Sequence, residues 1–303
     1  MFEKELLIWQ LTDRGLGSEI TTMILAQLYC LDKGIEFSLC SRYWNAAYQR
    51  GWTDYFVPFC KEISTPQLKI SYLFKSGGGL NTLTRFRKKL LLALRTRQRV
   101  ILNYDIWAQI WNAAFVARNF QLPTLGIRDA DCLTACQALL DGVWKFNGRT
   151  CASVQAMRKD LGLTDGTYFT LHVRRGDKWH EAKPINLREY IAKADAVNRL
   201  HFRKCFVMTD DYSVVTNLQR NYPQLDIVSL CEPVERGHVQ DAFNARSAEA
   251  RRDSMLRLLA ELAIAKDGAF FVGTFSSSLG RLVAMLRGRD NTFGADFPFT
   301  MLY

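Results

Sequence analysis

From Gly166 onward, short apolar runs alternate with helix-length amphipathic segments, and this alternation limits the fold more than any other feature of the chain. The pattern predicts strands at 168–173, 205–208, 227–230 and 270–272, and helices at 187–198, 212–220, 249–266 and 276–287. Strands separated by helices pair in parallel, with the helices packed on the faces of the sheet. Open parallel sheets bind ligands beyond the carboxyl ends of their strands. Residues that directly follow strands are therefore the ones to read for chemistry.

The first half follows a looser version of the same plan. A buried strand is expected at 6–11, then a turn holding Gly15-Leu16-Gly17, a helix capped by Ser18 and ended by Gly34, and a strand at 35–40. Helices are expected near 104–119, 129–146 and 151–161. An α/β chain of 303 residues accommodates two domains, and the change of texture places them at 1–165 and 166–303.

Composition narrows the class. Apolar residues make up 48% and charged residues 23%, which supports packed cores. The net charge of +10 favours anionic partners. Eight cysteines occur without a CxxC pair; Cys132 and Cys136 lie at a helix-packing spacing, and the set reads as free thiols in a reducing compartment. The opening residues lack a secretory pattern, and no apolar run approaches a membrane span, so a cytoplasmic protein is expected. The stretch 63–104 contains no acid, and it joins Leu90, Leu91, Leu92 and Leu94 to several arginines. That combination suits peripheral contact with an anionic membrane, such as the inner membrane surface. Nucleic-acid binders interleave aromatic and basic residues. Here the aromatics at 43–59 precede the basic stretch, which argues against nucleic acid.

Four segments follow predicted strands. His172-Val173-Arg174-Arg175-Gly176-Asp177-Lys178 runs from a strand into paired arginines that can fork onto phosphate oxygens, with Gly176 permitting close backbone approach and Asp177 able to orient a guanidinium. Thr274, Ser276, Ser277 and Ser278 lie where a strand gives way to a helix, so free N–H groups and hydroxyls there attract phosphate. Asp210 and Asp211 follow a strand and either bind ligand or cap the next helix. Gly15 and Gly17 form a partial dinucleotide fingerprint. No GxxxxGK[ST] motif occurs, which counts against a P-loop enzyme.

In their order and spacing, HVRRGDK, TDD and FVGTFSSSLGR resemble the α1,6-fucosyltransferases, the family of the N-glycan core and rhizobial nodulation-factor enzymes. The opening GLGSEI, RYWN and GWTDYFVPFC are similar to that family's donor-side start, whereas 63–165 has no match. The resemblance implies a GT-B-like architecture, two Rossmann-like halves facing across a cleft. It implies inverting transfer of fucose from GDP-fucose without a metal ion or cofactor, to an oligosaccharide or glycolipid acceptor. By position it gives His172, Arg174 and Ser277 to the donor, with Arg175 in support and Asp210 and Asp211 at the essential acids. Two positions depart from the pattern. Glu261 stands where the family has Asp, and Glu181 comes one residue earlier than the family's catalytic base. The candidates for that base are Glu181, Asp210 and His180. A related glycosyltransferase using another GDP-sugar or acceptor, and a non-enzymatic nucleotide or nucleic-acid binder, are the alternative readings.

Overall fold

A computed structural model of the protein describes residues 4–65, 68, 82–176 and 184–302. The chain divides into two compact units, one holding the residues up to Arg14 with Glu19–Lys145 and Leu302, the other Gly15–Ser18 with Phe146–Met301.

In the first unit, β1 (Glu5–Gln10) leads through α1 (Leu16–Lys33) to β2 (Glu36–Cys40). Gly34 ends α1 in the left-handed region (φ 67°), where a Cβ is unfavourable. The expected strand, helix and stop are thus present, although α1 begins at Leu16 and Ser18 lies inside its first turn. The short strand β3 (Lys61–Glu62) precedes α2 (Thr82–Thr96) and β4 (Arg99–Leu102). The sheet order is β3-β2-β1-β4, with every pairing parallel. Leu6 and Ile8 of β1 pack with Cys40, with Leu92 and Ala93 of α2, and with Val100 and Leu102 of β4.

The helix expected over 104–119 is broken. It forms as α3 (Asn103–Ile110) and α4 (Ala113–Val116), because Asn112 accepts a hydrogen bond from Ala114 N at 2.8 Å and starts a new helix. The antiparallel pair β5 (Asn119–Leu122) and β6 (Ile127–Asp131) takes up residues read as helical or connecting. Asp131 then caps α5 (Cys132–Val143), delaying it past the expected start at 129. Cys132 and Cys136 are buried in α5, and all eight cysteines are free thiols.

The second unit follows the sequence reading closely. It comprises α6 (Gly148–Asp160), β7 (Phe169–Val173), α7 (Leu187–Val197), β8 (Lys204–Thr209), α8 (Tyr212–Asn221) and β9 (Asp226–Val228). It continues through α9 (Gln240–Asn244), α10 (Ala248–Asp267), β10 (Phe271–Gly273), α11 (Ser278–Arg287) and β11 (Thr292–Gly294). The strands form one parallel sheet in the order β11-β10-β7-β8-β9. Phe169, Leu171 and Val173 pack with Tyr190 and Ile191 of α7 and with Val214 and Leu218 of α8. Thr170 and His172 alternate to the other face.

Sequence order reverses within each sheet. The chain builds β7, β8 and β9 outward on one side, then returns to add β10 and β11 on the other. A crevice opens at such a switch point, beyond the strand ends. In the second unit it lies between β7 and β10, and in the first between β1 and β4.

Candidate active site

The residues that leave β7 and β8 meet beside the switch point of the second unit. Arg174 follows β7, and its Nη1 lies 2.5 Å from Asp210 Oδ2, both side chains being largely enclosed. Asp210 also accepts from Arg175 N at 2.8 Å and from His238 N at 2.9 Å, and its carbonyl accepts from Gly237 N at 2.7 Å. One carboxylate thus anchors two loops, that after β7 and that at 237–238. Asp177, Lys178, His180 and Glu181, all singled out from sequence, lie outside the described residues.

The glycines explain how the loops approach so closely. A Cβ at Gly176 would lie 2.3 Å from His238 O and 2.6 Å from Asp210 Oδ2. Gly237 has φ near +100°, and a Cβ there would lie 2.7 Å from Gly176 Cα. Gly176 was expected to admit a ligand, and the close approach in the structure is to protein backbone. Gly17 behaves similarly within the second unit, since a Cβ there would lie 2.6 Å from Ser278 C and O. A Cβ on Gly15 would lie 3.3 Å from Gln240 Oε1.

His172 is buried on β7, with its ring 6.3 Å from that of Phe271 and nearly parallel to it. Its Nδ1 has no hydrogen-bond partner among the described residues. Burial first, and then the Arg174 charge, push its pKa down to about 4, so the ring is neutral near pH 7. Asp211 caps α8, its Oδ1 accepting from Ser213 N at 2.9 Å. Of the paired acids, then, one serves the helix and the other the arginine.

Beyond β10 the expected free amides are partly occupied. Phe275 N and Ser276 N donate to the two carboxylate oxygens of Asp296 at 2.8 and 2.7 Å. The helix α11 itself starts at Ser278 rather than at Ser276. Thr274 Oγ1 is engaged by the Tyr190 hydroxyl and donates to His172 O at 3.2 Å. Ser277 caps α11 by position but makes no side-chain cap hydrogen bond, and it is buried with Ser276. Sequence reading missed Asp296, Tyr190 and the 237–238 loop. A glycine followed by a histidine at 237–238 is the one local signal that marks a tight turn there.

Glu261 lies buried on α10. Burial raises its carboxyl to about 8; Glu235 and Asp210 push the same way, and Arg257 opposes them. Arg257 itself pairs with Glu232 at 2.7 Å and with Glu235. Protonated Glu261 can donate a hydrogen bond that an aspartate in its ordinary range cannot. Among the described residues no three His, Cys, Asp or Glu side chains gather as a metal site.

No protein-family model matches the chain, and no curated protein sequence does. Solved structures do match, fucosyltransferases among them. The NodZ α1,6-fucosyltransferase soaked with GDP-fucose is 15% identical, with 94% of this chain and 93% of that one covered at a TM-score of 0.55. The NodZ structure from Bradyrhizobium is 14% identical over 94% and 93%, with a TM-score of 0.56. POFUT1 in complex with GDP is 9% identical over 96% of this chain and 98% of its own, with a TM-score of 0.53. The chain has the GT-B fold of these fucosyltransferases.

Proposed function

We propose that the protein is a glycosyltransferase that moves fucose from GDP-fucose to a glycan hydroxyl, with inversion and without a metal ion. The observation that carries this reading is the Arg174–Asp210 pair, held at the carboxyl end of the central strand and beside the topological switch point. The fold it shares with NodZ soaked with GDP-fucose supports the same donor.

Departure of a nucleotide diphosphate concentrates negative charge on its β-phosphate. Arg174, with Lys178 and the first turn of α11, supplies the compensating field, worth most where water is excluded. His172 stays neutral, so the positive charge at the end of β7 comes from the guanidinium rather than the imidazole. Arg175 supports the loop through its amide. Both oxygens of Asp210 already accept hydrogen bonds, so it positions Arg174. For removal of the acceptor hydroxyl proton we assign Glu181, with His180 as the alternative. An attack opposite the departing diphosphate inverts the anomeric centre. The acceptor is an oligosaccharide or glycolipid.

A donor screen tests the proposal. The purified protein is given GDP-fucose, GDP-mannose and UDP-sugars, with and without chelator, and nucleotide release is scored. The expected result is release from GDP-fucose that survives the chelator. Preference for GDP-mannose or a UDP-sugar overturns the donor assignment, complete loss with chelator overturns metal independence, and GDP binding without turnover of any sugar makes the protein a binder.

A further inference from the structure

Helix α2 carries two apolar faces, and the fold uses one. Leu92 and Ala93 are buried against β1 and β4 in the core of the first unit. On the other side Phe86 is 63% exposed, Leu90 45%, Leu91 52% and Leu94 63%. Positions 86, 90 and 94 are four apart and form a continuous stripe along the helix, with Leu91 one turn beside it. Among the described residues ten large apolar side chains are exposed, and these four share nine residues of one helix while the others are scattered. Isolated exposed leucines need no explanation, but a contiguous exposed stripe does.

The charge around the stripe identifies what covers it. No acidic residue occurs from 63 to 104. Arg87 and Arg95 are exposed on the same side of the helix as the stripe. Of the other cations nearby, Lys89 pairs with Asp105 at 2.9 Å and Arg99 with Glu5 at 2.9 Å. An apolar stripe edged by arginines suits an anionic bilayer. The leucines and the phenylalanine enter the acyl boundary, while the arginine stems lie along it and lift their heads to the phosphates. A second copy of the chain fits less well, because a two-fold contact through the stripe sets arginine rim against arginine rim.

We propose that α2 docks the first unit onto an anionic lipid surface through Phe86, Leu90, Leu91 and Leu94, with Arg87 and Arg95 at the headgroups. This goes beyond the transfer reading and is independent of it. Among the described residues no helix is long and apolar enough to cross a membrane, so the contact is peripheral.

Flotation of the full chain with vesicles tests the proposal without reference to turnover. Vesicles of phosphatidylcholine alone are compared with vesicles containing phosphatidylglycerol, at low and high salt. The intact protein is expected to float with the anionic vesicles and to dissociate as salt rises. Replacing Phe86, Leu90 and Leu94 together by Ser should reduce the partition coefficient more than tenfold. The pair Arg87→Gln and Arg95→Gln should reduce it about twenty-five-fold at low salt, at about fivefold per arginine. All these side chains are exposed, and unchanged circular dichroism and Tm verify that the variants fold. Failure of the intact protein to float, or equal binding to both vesicle types, overturns the proposal. So does a serine variant that floats normally. A dimer in sedimentation that the same serine substitutions dissolve, with no vesicle binding, assigns the stripe to self-association instead. None of these results bears on the donor assignment.

Discussion

The two units place a switch point between corresponding strands and fill it differently. In the first, the end of β1 is closed by a neutral plug. Asn103 Oδ1 accepts from Gln10 N, and Asn103 Nδ2 donates to Gln10 O, both at 2.8 Å and both buried. Arg14, just beyond, lies 2.9 Å from buried Glu19 and 4.9 Å over the ring of Trp107. In the second, the end of β7 presents Arg174 on Asp210, with the neutral His172 ring behind it. One topology thus yields a strand end sealed by amides, with its arginine set on Glu19 beyond the seal, and one that presents its arginine directly. The difference arises from side chains, since the backbone plan is shared.

Five experiments break or sharpen that contrast, in order of expected effect. Arg174→Ala should lower turnover about a thousandfold, with the fold retained at a lower Tm because Asp210 keeps its two amide donors but loses its counter-charge; near-normal turnover would remove the functional distinction between the strand ends. Asp210→Ala leaves a guanidinium and two amides without their acceptor. It should lower stability by about 3 kcal/mol in urea melts, along with activity, and a loss below about 1 kcal/mol would show that the two loops hold without it. Glu181→Gln should lower turnover about a hundredfold while GDP affinity, measured by calorimetry, stays within about twofold. Unchanged turnover moves the base elsewhere.

The fourth experiment concerns His172. Its folded pKa is depressed from 6.5 to about 4, so the unfolded chain takes up a proton at a higher pH than the folded one. Stability from the neutral ring is therefore present above pH 6.5 and is lost as pH falls toward 4. The stability gap between wild type and His172→Gln should narrow by about 2–3 kcal/mol between pH 7 and pH 4.5. A constant gap means the ring protonates normally. The smallest effect belongs to the first unit. Asn103→Ala should lower stability by about 2 kcal/mol by orphaning the Gln10 amide and carbonyl, with turnover within about twofold. A large activity loss there would mean that both strand ends serve the reaction.

The second unit was legible because its strands and helices are separated by strong local signals. Caps such as Asp211 and Ser247 fall at the expected helix starts. The first unit was less so. β4 is four residues long and follows a helix directly, and the β5–β6 pair depends on a left-handed Gly126 that a one-dimensional reading takes for part of a loop. In the site, Arg174 and Asp210 could be named from sequence because each directly follows a strand. Their pairing could not, since 36 residues separate them and only the register of β7 with β8 brings them together. Asp296 was out of reach for the same reason. It lies 20 residues beyond the amide of Ser276 and comes back to it only because β11 runs parallel to β10.

The crossing of Gly176 over Gly237 limits how this site can change. A bulkier residue at Gly237 collides with the main chain of Gly176, and one at Gly176 collides with the main chain of His238 as well as with the Asp210 carboxylate that anchors the loops. Neither position can compensate for the other, because both already hold the smallest residue. The two loops therefore vary as a joined pair, and shifting the arginine relative to Asp210 requires rebuilding both at once.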